Sequence, residues 1–364
     1  MLSNELWVDL PSGKKYPIFI DDESIESLGE KIFKHTNANK ILVVISQKVN
    51  KLYGNLLNIP NSVKFVLKDG EGQKNFKNFQ KIVRFAIKNK LERNDAIVAI
   101  GGGVVGDIAG FAAATYLRGI DFIQIPTTLL ACVDSSVGGK VAINSNLGKN
   151  MVGAFYQPKA VFCNLNFLKT LDERQLKCGM AEVIKYAFIE KNCGVEQDFD
   201  LFDFLIANPQ RIFSRNTNTL GEIIKISLTL KIAVVKKDEK EQGLRKVLNF
   251  GHTLGHAIEK ITNYKKFNHG EAISIGMKFA VIVAYERKII RKSLKVKAFE
   301  LIDNYKIIKK IPKFNPQKLI QIMESDKKVE NGNINFILPV QKSFVEVFND
   351  ITNKEIETCL KLLY

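Results

Sequence analysis

Three of the four histidines of this 364-residue chain lie within one stretch, from His252 to His269. His252 and His256 are four residues apart on an amphipathic pattern, so both imidazoles project from the same face of a predicted helix. Such a pair can be two hydrogen-bonded core histidines, or it can be part of a metal site. The third histidine, together with the carboxylate described next, favours the metal site.

The residues between the histidines exclude a zincin-type protease. That class requires HExxH, with a glutamate as general base, whereas Thr253, Leu254 and Gly255 stand here. A catalytic zinc usually has three protein ligands, and with His252 and His269 as two of them we expect a carboxylate as the third.

Glu182 is the best candidate for that carboxylate. It lies on an apolar stripe of the helical run GMAEVIKYAFIE, where a metal-bound carboxylate is cheaper to bury than an unpaired one. Glu190 ends the same run and is predicted to be an ordinary helix-terminal charge.

A glycine-rich turn, GGGVVGD at 101–107, follows the predicted strand AIVAI and opens a helix. Gly101, Gly103 and Gly106 fit GxGxxG, which lets a pyrophosphate approach the amides of a helix N-terminus. A tight strand-to-helix turn without a ligand is the alternative. The loop DGEGQK at 69–74 ends another strand, where Glu71 could bind ribose hydroxyls and Lys74 a phosphate, unless it is a surface turn.

A polar segment, 126–150, is predicted to be a loop that binds a substrate with hydroxyl and acidic groups. It contains Asp134, Lys140, Lys149 and Asn150. A flexible surface loop is the alternative. Further polar groups suited to an anionic ligand are Arg118, Lys231, Arg245 and Asn249, which could otherwise be helix-surface residues.

Two kinds of hydrophobic period divide the chain. The first part begins with a strand, a turn and a second strand over 6–20, and continues with alternating strands and helices. Short β-branched or apolar runs predict further strands at 41–45, 63–67, 96–100 and 122–126. This alternation predicts a Rossmann-like, doubly wound parallel sheet.

Helical periodicity dominates the second part, with one short strand predicted at 334–339. We therefore predict an α/β dinucleotide-binding domain at 1–167 and a mainly α-helical metal- and substrate-binding domain at 168–364.

The net charge of +16 is spread over scattered lysines, which favours an anionic small molecule over nucleic acid. Five cysteines without a CxxC pair suit a reducing cytoplasm. No signal-peptide pattern begins the chain, and no uncharged apolar run approaches the roughly 20 residues that span a bilayer. We expect a cytoplasmic protein with no membrane or nucleic-acid partner.

Long motifs, taken in order, resemble the 3-dehydroquinate synthase family of the shikimate pathway. They are DGEGQK, GGGVVGD, IPTTLLACVDSSVGGKVAIN, GKNMVGAFYQP, GMAEVIKY, LRKVLNFGHTLGHAIE, HGEAISIGM and DKK at 326–328. The resemblance implies an NAD-binding α/β domain, a helical domain that binds zinc or cobalt, an active site between them, and a homodimer.

The resemblance also implies roles for individual residues. Metal ligation falls on Glu182, His252 and His269, while His256 becomes a catalytic or substrate-contacting imidazole. Substrate or catalytic contacts are implied at Asp134, Lys140, Asn150, Lys185, Lys231, Arg245, Asn249, Arg118 (across the dimer) and one of Lys327 and Lys328, with Lys327 taken here. NAD contacts are implied at Asp69, Gly70, Glu71, Gly72, Gln73, Lys74, Gly103, Val104, Val105, Gly106, Asp107, Thr127, Thr128, Lys140, Lys149, Phe167, Leu168, Lys169 and Thr170.

The implied substrate is an anionic sugar-acid phosphate, 3-deoxy-D-arabino-heptulosonate 7-phosphate. The implied reaction oxidises it with NAD, eliminates phosphate, reduces the product and closes a ring by an aldol step. Ser46 departs from the family pattern, which usually has Asp or Asn there, and Cys178 stands where a small polar residue is usual.

Three other functions compete with this interpretation. A 2-deoxy-scyllo-inosose synthase shares the fold and cofactors but differs from the family pattern at His256. A metal-dependent alcohol dehydrogenase of the glycerol dehydrogenase type has no need of the VDSSVGGK segment. A non-catalytic NAD- or metal-binding regulator has no need of so many ionisable residues.

Overall fold

We analysed a computed structural model, which describes residues 3–196, 199–241, 243–308, 310–325, 329–330 and 333–364. The chain divides into two compact units. The first contains Met1–Asp172 and Arg215–Ile232, and the second contains Glu173–Ser214 and Ala233–Tyr364. Each unit is described by itself.

The first unit is built on a seven-stranded sheet. The strands of the unit are β1 (Ser3–Asp9), β2 (Lys15–Asp21), β3 (Ile41–Ser46), β4 (Ser62–Leu67), β5 (Ala96–Gly101), β6 (Asp121–Pro126), β7 (Lys140–Ser145), β8 (Gly148–Phe155) and β9 (Ala160–Asn164). The sheet has the order β1-β2-β9-β6-β5-β3-β4. Only β1 is antiparallel to its neighbour among the described strands of this sheet.

Helices cover both faces of this sheet. They are α1 (Leu28–Phe33), α2 (Gln47–Tyr53), α3 (Phe76–Lys88), α4 (Gly103–Thr115) and α5 (Asn166–Lys169). Strands β3 and β5 are buried at every position, as expected for parallel strands between two helical layers. Alternate residues face opposite cores: Leu42 packs with α3 and α4, whereas Val43 packs with α1. The predicted α/β fold is confirmed.

Segment 126–150 differs from its prediction as a loop. Part of it forms β7, which pairs with β8 as an antiparallel hairpin from Lys140↔Phe155 to Ser145↔Gly148. Val141 and Ile143 of the hairpin pack in the core beside α4, and this packing holds the segment in place.

The second unit is mainly helical, as predicted. Its helices are α6 (Glu173–Ile189), α7 (Leu201–Ala207), α8 (Pro209–Phe213), α9 (Thr217–Lys237, which belongs to the first unit up to Ile232), α10 (His252–Ile261), α11 (His269–Glu286), α12 (Lys292–Asn304), α13 (Pro316–Glu324) and α14 (Asn353–Lys361). Its strands are β10 (Val329–Glu330), β11 (Asn333–Ile334), β12 (Phe336–Gln341) and β13 (Phe344–Phe348).

Helix α11 is the core helix of this unit, because it packs against α6, α10, α12 and α14. Strand β12 confirms most of the strand predicted at 334–339, and it pairs with β13. Among the described residues, no helix combines the length and apolar content needed to cross a membrane.

Candidate functional site

The histidines of the second unit are positioned by the close crossing of α10 and α11. Gly251, just before α10, has φ +77°, and Gly276 of α11 lies against its carbonyl. A Cβ on Gly276 would come within 1.9 Å of the Gly251 oxygen, so only glycine permits this approach. The crossing brings His252, the first residue of α10, toward His269, the first residue of α11.

A capping box fixes the start of α11. The Asn268 side chain accepts from the Glu271 amide, and the Glu271 carboxylate accepts from the Asn268 amide. Arg174 of α6 holds Glu271 with two hydrogen bonds of 2.8 Å. The capping box and Arg174 therefore fix the start of α11, from which the His269 side chain projects.

Three metal-binding side chains converge at this crossing. Glu182 Oε1 lies 3.3 Å from His269 Nε2 and 3.6 Å from His252 Nε2. Their donor atoms all lie within 4.8 Å of one another, and Glu182 is buried on α6. Two imidazole nitrogens and one carboxylate oxygen are the donor set of a catalytic zinc site, so these residues fit a divalent metal.

The ionisable groups around Glu182 and His269 strongly influence one another's charge. Burial lowers the pKa of His269, but the carboxylates of Glu182 and Glu259 outweigh it and raise the pKa to about 10 without metal. Lys185 is buried and forms an ion pair with Glu182. A metal bound by His269 would therefore have to displace a proton.

His256 stands beside the three donors. Its ring centroid is 5.3 Å from that of His252 and 6.2 Å from that of His269. The predicted projection of His252 and His256 from one helix face is confirmed, but the Glu182 cluster does not include His256. His256 instead forms a second, overlapping group with Glu259 and His269.

Arg245 and Asn249 lie on the turn that leads into α10. The Arg245 guanidinium is buried and donates to the Glu239 carbonyl at 2.5 Å. Asn249 donates to the Glu241 carboxylate at 3.1 Å. Lys327 and Lys328 lie outside the described residues.

In the first unit, the predicted dinucleotide loops follow three strands of the parallel sheet, of which β5 and β6 are neighbours and β4 is separated from β5 by β3. The turn at 101–103 joins β5 to α4, Thr127 and Thr128 follow β6, and 69–74 follow β4. The carboxyl ends of parallel strands share one edge of a sheet, where α/β domains bind nucleotides. The Thr127 amide donates to the Gly101 carbonyl at 3.0 Å, which joins two of these segments.

Lys74 connects the loop at 69–74 to α4 and to the β7–β8 hairpin. Its ammonium lies 2.7 Å from Asp107 Oδ2 and 2.6 Å from Asn150 Oδ1. Burial lowers the Lys74 pKa, but the charges of Asp107 and Glu71 outweigh it and raise the pKa. The buried lysine therefore stays protonated in a polar cluster that also includes Asn144, which donates to Glu71 at 2.7 Å.

Lys231 and Asp134 also meet within the first unit. The buried Lys231 ammonium donates to Asp134 Oδ1 at 2.9 Å and to the Asp134 carbonyl at 2.5 Å. Two residues that are far apart in sequence, and that were predicted separately to contact substrate, are therefore neighbours.

Other predicted residues are exposed on the surface or are part of the apolar core. Arg118 is exposed and has a left-handed backbone with φ +69°, and Lys140 is exposed at the start of β7. The side chains of Phe167 and Leu168 are buried, and Phe167 belongs to the core under the sheet. Ser46 caps α2 by accepting from the Val49 amide, which gives this departure from the family pattern a structural use.

Two further carboxylates of the second unit are buried, one absent from the sequence predictions and one predicted differently. Glu259 is buried beside His269, a role that its place seven residues after His252 could have suggested. Glu190 is not an ordinary terminal charge: it is buried and accepts from the Leu201 amide at 3.2 Å.

Comparison with known proteins places this geometry in a family. Residues 64–178 match the model described as 3-dehydroquinate synthase N-terminal, and residues 179–329 match the one described as 3-dehydroquinate synthase C-terminal. A 3-dehydroquinate synthase from Prochlorococcus marinus subsp. pastoris is 43% identical over 365 residues, covering 98% of each chain.

Two solved structures show the same fold. A 2-epi-5-epi-valiolone synthase from Streptomyces hygroscopicus subsp. jinggangensis, with NAD+ and Zn2+ bound, has a TM-score of 0.86 at 24% identity and covers 96% of both chains. A 2-deoxy-scyllo-inosose synthase complexed with carbaglucose-6-phosphate, NAD+ and Co2+ has a TM-score of 0.83 at 24% identity and covers 99% of both chains.

Proposed function

The chain belongs to the 3-dehydroquinate synthase family, and we propose that it converts 3-deoxy-D-arabino-heptulosonate 7-phosphate to 3-dehydroquinate and phosphate. The observation that carries this proposal is the buried cluster of Glu182, His252 and His269, present in a chain that matches the family almost from end to end. The enzyme is then a carbon–oxygen lyase that eliminates phosphate and closes a ring.

Two cofactors are part of the proposal. A divalent metal, zinc or cobalt, held by Glu182, His252 and His269 would supply Lewis acidity toward the C5 oxygen of the substrate. NAD, held by the loops that follow β4, β5 and β6, would supply reversible oxidation at C5, so that none is consumed overall.

The protein's own groups bind the substrate and move protons. The buried Arg245 guanidinium suits the substrate carboxylate, because it offers a planar set of donors. Lys140 and Arg118 hold the phosphate, whose own oxygen then takes the proton lost during elimination. His256 transfers a substrate hydroxyl proton.

The remaining site residues support these groups. Asp134 keeps Lys231 in place, while Asn150 and Asp107 hold Lys74. Lys185 balances the charge of Glu182. Asn249 and one of Lys327 and Lys328 complete the substrate contacts that we propose.

We propose a functional division into an NAD-binding domain at 1–167 and a metal- and substrate-binding domain at 168–364. We also propose a homodimer that works in the cytoplasm, where the five buried free thiols stay reduced.

Phosphate release from the heptulosonate phosphate tests the proposal, with catalytic NAD, added zinc and continuous reading of NADH absorbance. Phosphate that appears without net NADH, and stops when a chelator is added, is the expected result. Glucose 6-phosphate and glycerol serve as control substrates. Turnover of glucose 6-phosphate alone would indicate an inosose synthase, and NADH accumulating on glycerol would indicate a dehydrogenase.

A further inference from the structure

We propose that Glu259 is a positioning residue that orients His269 for metal binding. Its carboxylate accepts the Nδ1–H of His269, which leaves the Nε2 lone pair of the same ring directed at Glu182. This inference rests on the metal site proposed above and assigns a role to a residue outside its donor set.

The geometry of the two ligand histidines carries the inference. His269 Nδ1 lies 3.3 Å from Glu259 Oε2, while His269 Nε2 lies 3.3 Å from Glu182 Oε1. His252 has the same arrangement with a different acceptor: its Nδ1 lies 3.0 Å from the Phe250 carbonyl. Both rings therefore present Nε2 to Glu182 and Nδ1 to an acceptor.

A neutral imidazole has one N–H and one lone pair, so the partner of one nitrogen decides which nitrogen can bind a metal. A carboxylate accepts hydrogen bonds only, and it therefore selects the tautomer with hydrogen on Nδ1. It also raises the basicity of the other nitrogen, as carboxylate partners of zinc-bound histidines do. The Phe250 carbonyl orients His252 without contributing a full charge.

Glu259 is suited to this role by its place on α10. It is 3% exposed and lies seven residues, two helical turns, after His252. One short helix therefore supplies a metal ligand and the charged acceptor for the ligand on α11.

The group formed by His256, Glu259 and His269 is an alternative metal site. The proposed hydrogen bond from His269 Nδ1 to Glu259 excludes it. A metal bound there would require Glu259 as a ligand. It would also require the lone pair of His269 Nδ1, because Nδ1 is the ring nitrogen that faces Glu259. Nδ1 cannot donate a hydrogen to Glu259 and bind a metal at the same time. The proposed hydrogen bond therefore directs the metal to Glu182.

Metal titration of the full chain tests the role of Glu259. Wild type, Glu259→Gln and Glu259→Leu are freed of metal, then titrated with zinc against a chromophoric chelator and with Co2+ while the visible spectrum is recorded. Gln keeps an acceptor but loses the charge, so we expect about tenfold weaker binding; Leu loses both, and we expect weakening toward 100-fold with an altered Co2+ spectrum. Glu190→Gln removes another buried carboxylate of the same unit and should leave both readouts unchanged.

Unchanged affinity and spectrum in both Glu259 variants would overturn the inference. A second metal ion in wild type that disappears in both variants would also overturn it, because Glu259 would then be a ligand. If wild type binds no metal, the proposed function fails together with the inference. If wild type binds metal and the Glu259 variants bind it equally well, only the inference fails.

A second measurement needs no variant of Glu259. The chain has four histidines, so selective ¹⁵N-histidine labelling gives a spectrum of four rings, in which loss of one signal in His269→Ala identifies His269. We expect hydrogen on Nδ1 of His269 in the zinc-loaded wild type. Hydrogen on Nε2 would overturn the inference even if the Glu259 variants failed to fold.

Discussion

His269 occupies the most constrained position among the proposed ligands, because it begins a capped helix and has a carboxylate within 3.3 Å of each ring nitrogen. Its replacement by alanine removes one of three donors. Since loss of an outer-shell partner alone weakens metal binding by about 10–100-fold, we expect His269→Ala to lose about 100-fold or more, together with phosphate release. Zinc competition and the phosphate assay measure both.

His35→Gln is the matched control. His35 packs against Phe19 and Phe162 in the first unit, with ring centroids 5.0 and 5.7 Å away. It should keep wild-type zinc affinity. A fully active, metal-replete His269→Ala would contradict the ligand assignment.

Arg245 allows a separate test of substrate binding. Arg245→Lys keeps the charge but loses the planar set of donors, so we expect the KM for the heptulosonate phosphate to rise about tenfold or more, corresponding to one strong charged hydrogen bond. The KM for NAD should change much less. Because Arg245 is buried, an equal rise in both constants with a lower melting temperature would indicate a structural role instead.

The sequence allowed some site residues to be predicted better than others. Glu182 stood out because a carboxylate on an apolar helix face needs a buried partner. Glu259 did not, because an acid at a helical position is usually exposed: its spacing from His252 was a weak signal beside that expectation, and its burial is visible only in the fold. The meeting of Lys231 with Asp134 joins distant segments, which no local pattern can predict.

Among the elements, the strands of the parallel sheet were predictable because burial on both faces leaves uninterrupted β-branched runs. The hairpin β7–β8 was missed for the opposite reason. In β7 only Val141 and Ile143 are buried, between polar or small residues, and this pattern is too short to distinguish a strand from a loop.

The α10–α11 crossing permits a prediction at this scale. Gly276→Ala places a methyl group against the Gly251 carbonyl, which cannot move without shifting α10. We expect a loss of about 1–3 kcal/mol in the free energy of unfolding, as in other overpacked cores, together with weaker zinc binding.

Denaturant unfolding and zinc competition measure the two effects. Gly72→Ala is the matched control for stability, because a Cβ there meets nothing within 4 Å. A Gly276→Ala variant as stable as Gly72→Ala would show that the crossing tolerates a side chain.

The contact between the end of α11 and the start of α14 should make stability depend on pH. Arg287 donates to Glu355 at 2.8 Å, and this bond, with the Thr352 cap, lowers the Glu355 pKa from 4.5 to about 2. Because the folded pKa lies below the unfolded one, the stabilisation is fully present above pH 4.5 and is lost as the pH falls toward 2.

Glu355→Gln should therefore lower the free energy of unfolding by about 1 kcal/mol at neutral pH, a value kept small because the pair is partly exposed. The difference from wild type should shrink as the pH falls below 4.5. Urea unfolding at several pH values measures it. Glu357→Gln on the same helix, where the partner is an amide, should show little effect at any pH. A Glu355→Gln effect that is independent of pH would assign the stabilisation to helix capping alone.

At the scale of the whole molecule, the two units use different architectures for different ligands. The first unit has a parallel sheet, whose strand ends collect loops suited to a dinucleotide. The second has helices that cross closely enough to bring together two buried carboxylates and three histidines. Fold class was predictable because each part keeps one hydrophobic period over a long stretch. The assignment of 215–232 to the first unit follows from packing and has no local signal.

The cysteines give a readout of the intact molecule. All five are among the described residues and are buried, and burial raises the pKa of Cys178 and Cys193 to about 12 and that of Cys359 to about 11. Because the thiolate is the reactive form, these thiols are protected both by inaccessibility and by protonation.

We expect a disulfide reagent at mildly alkaline pH to modify less than one thiol per native chain and all five after denaturation in guanidinium. Residual labelling of the native protein should follow the unfolding rate and slow when NAD and zinc are added, since ligands stabilise the folded state. Rapid labelling of one thiol in the native protein, unaffected by ligands, would show that a cysteine is exposed by local motion.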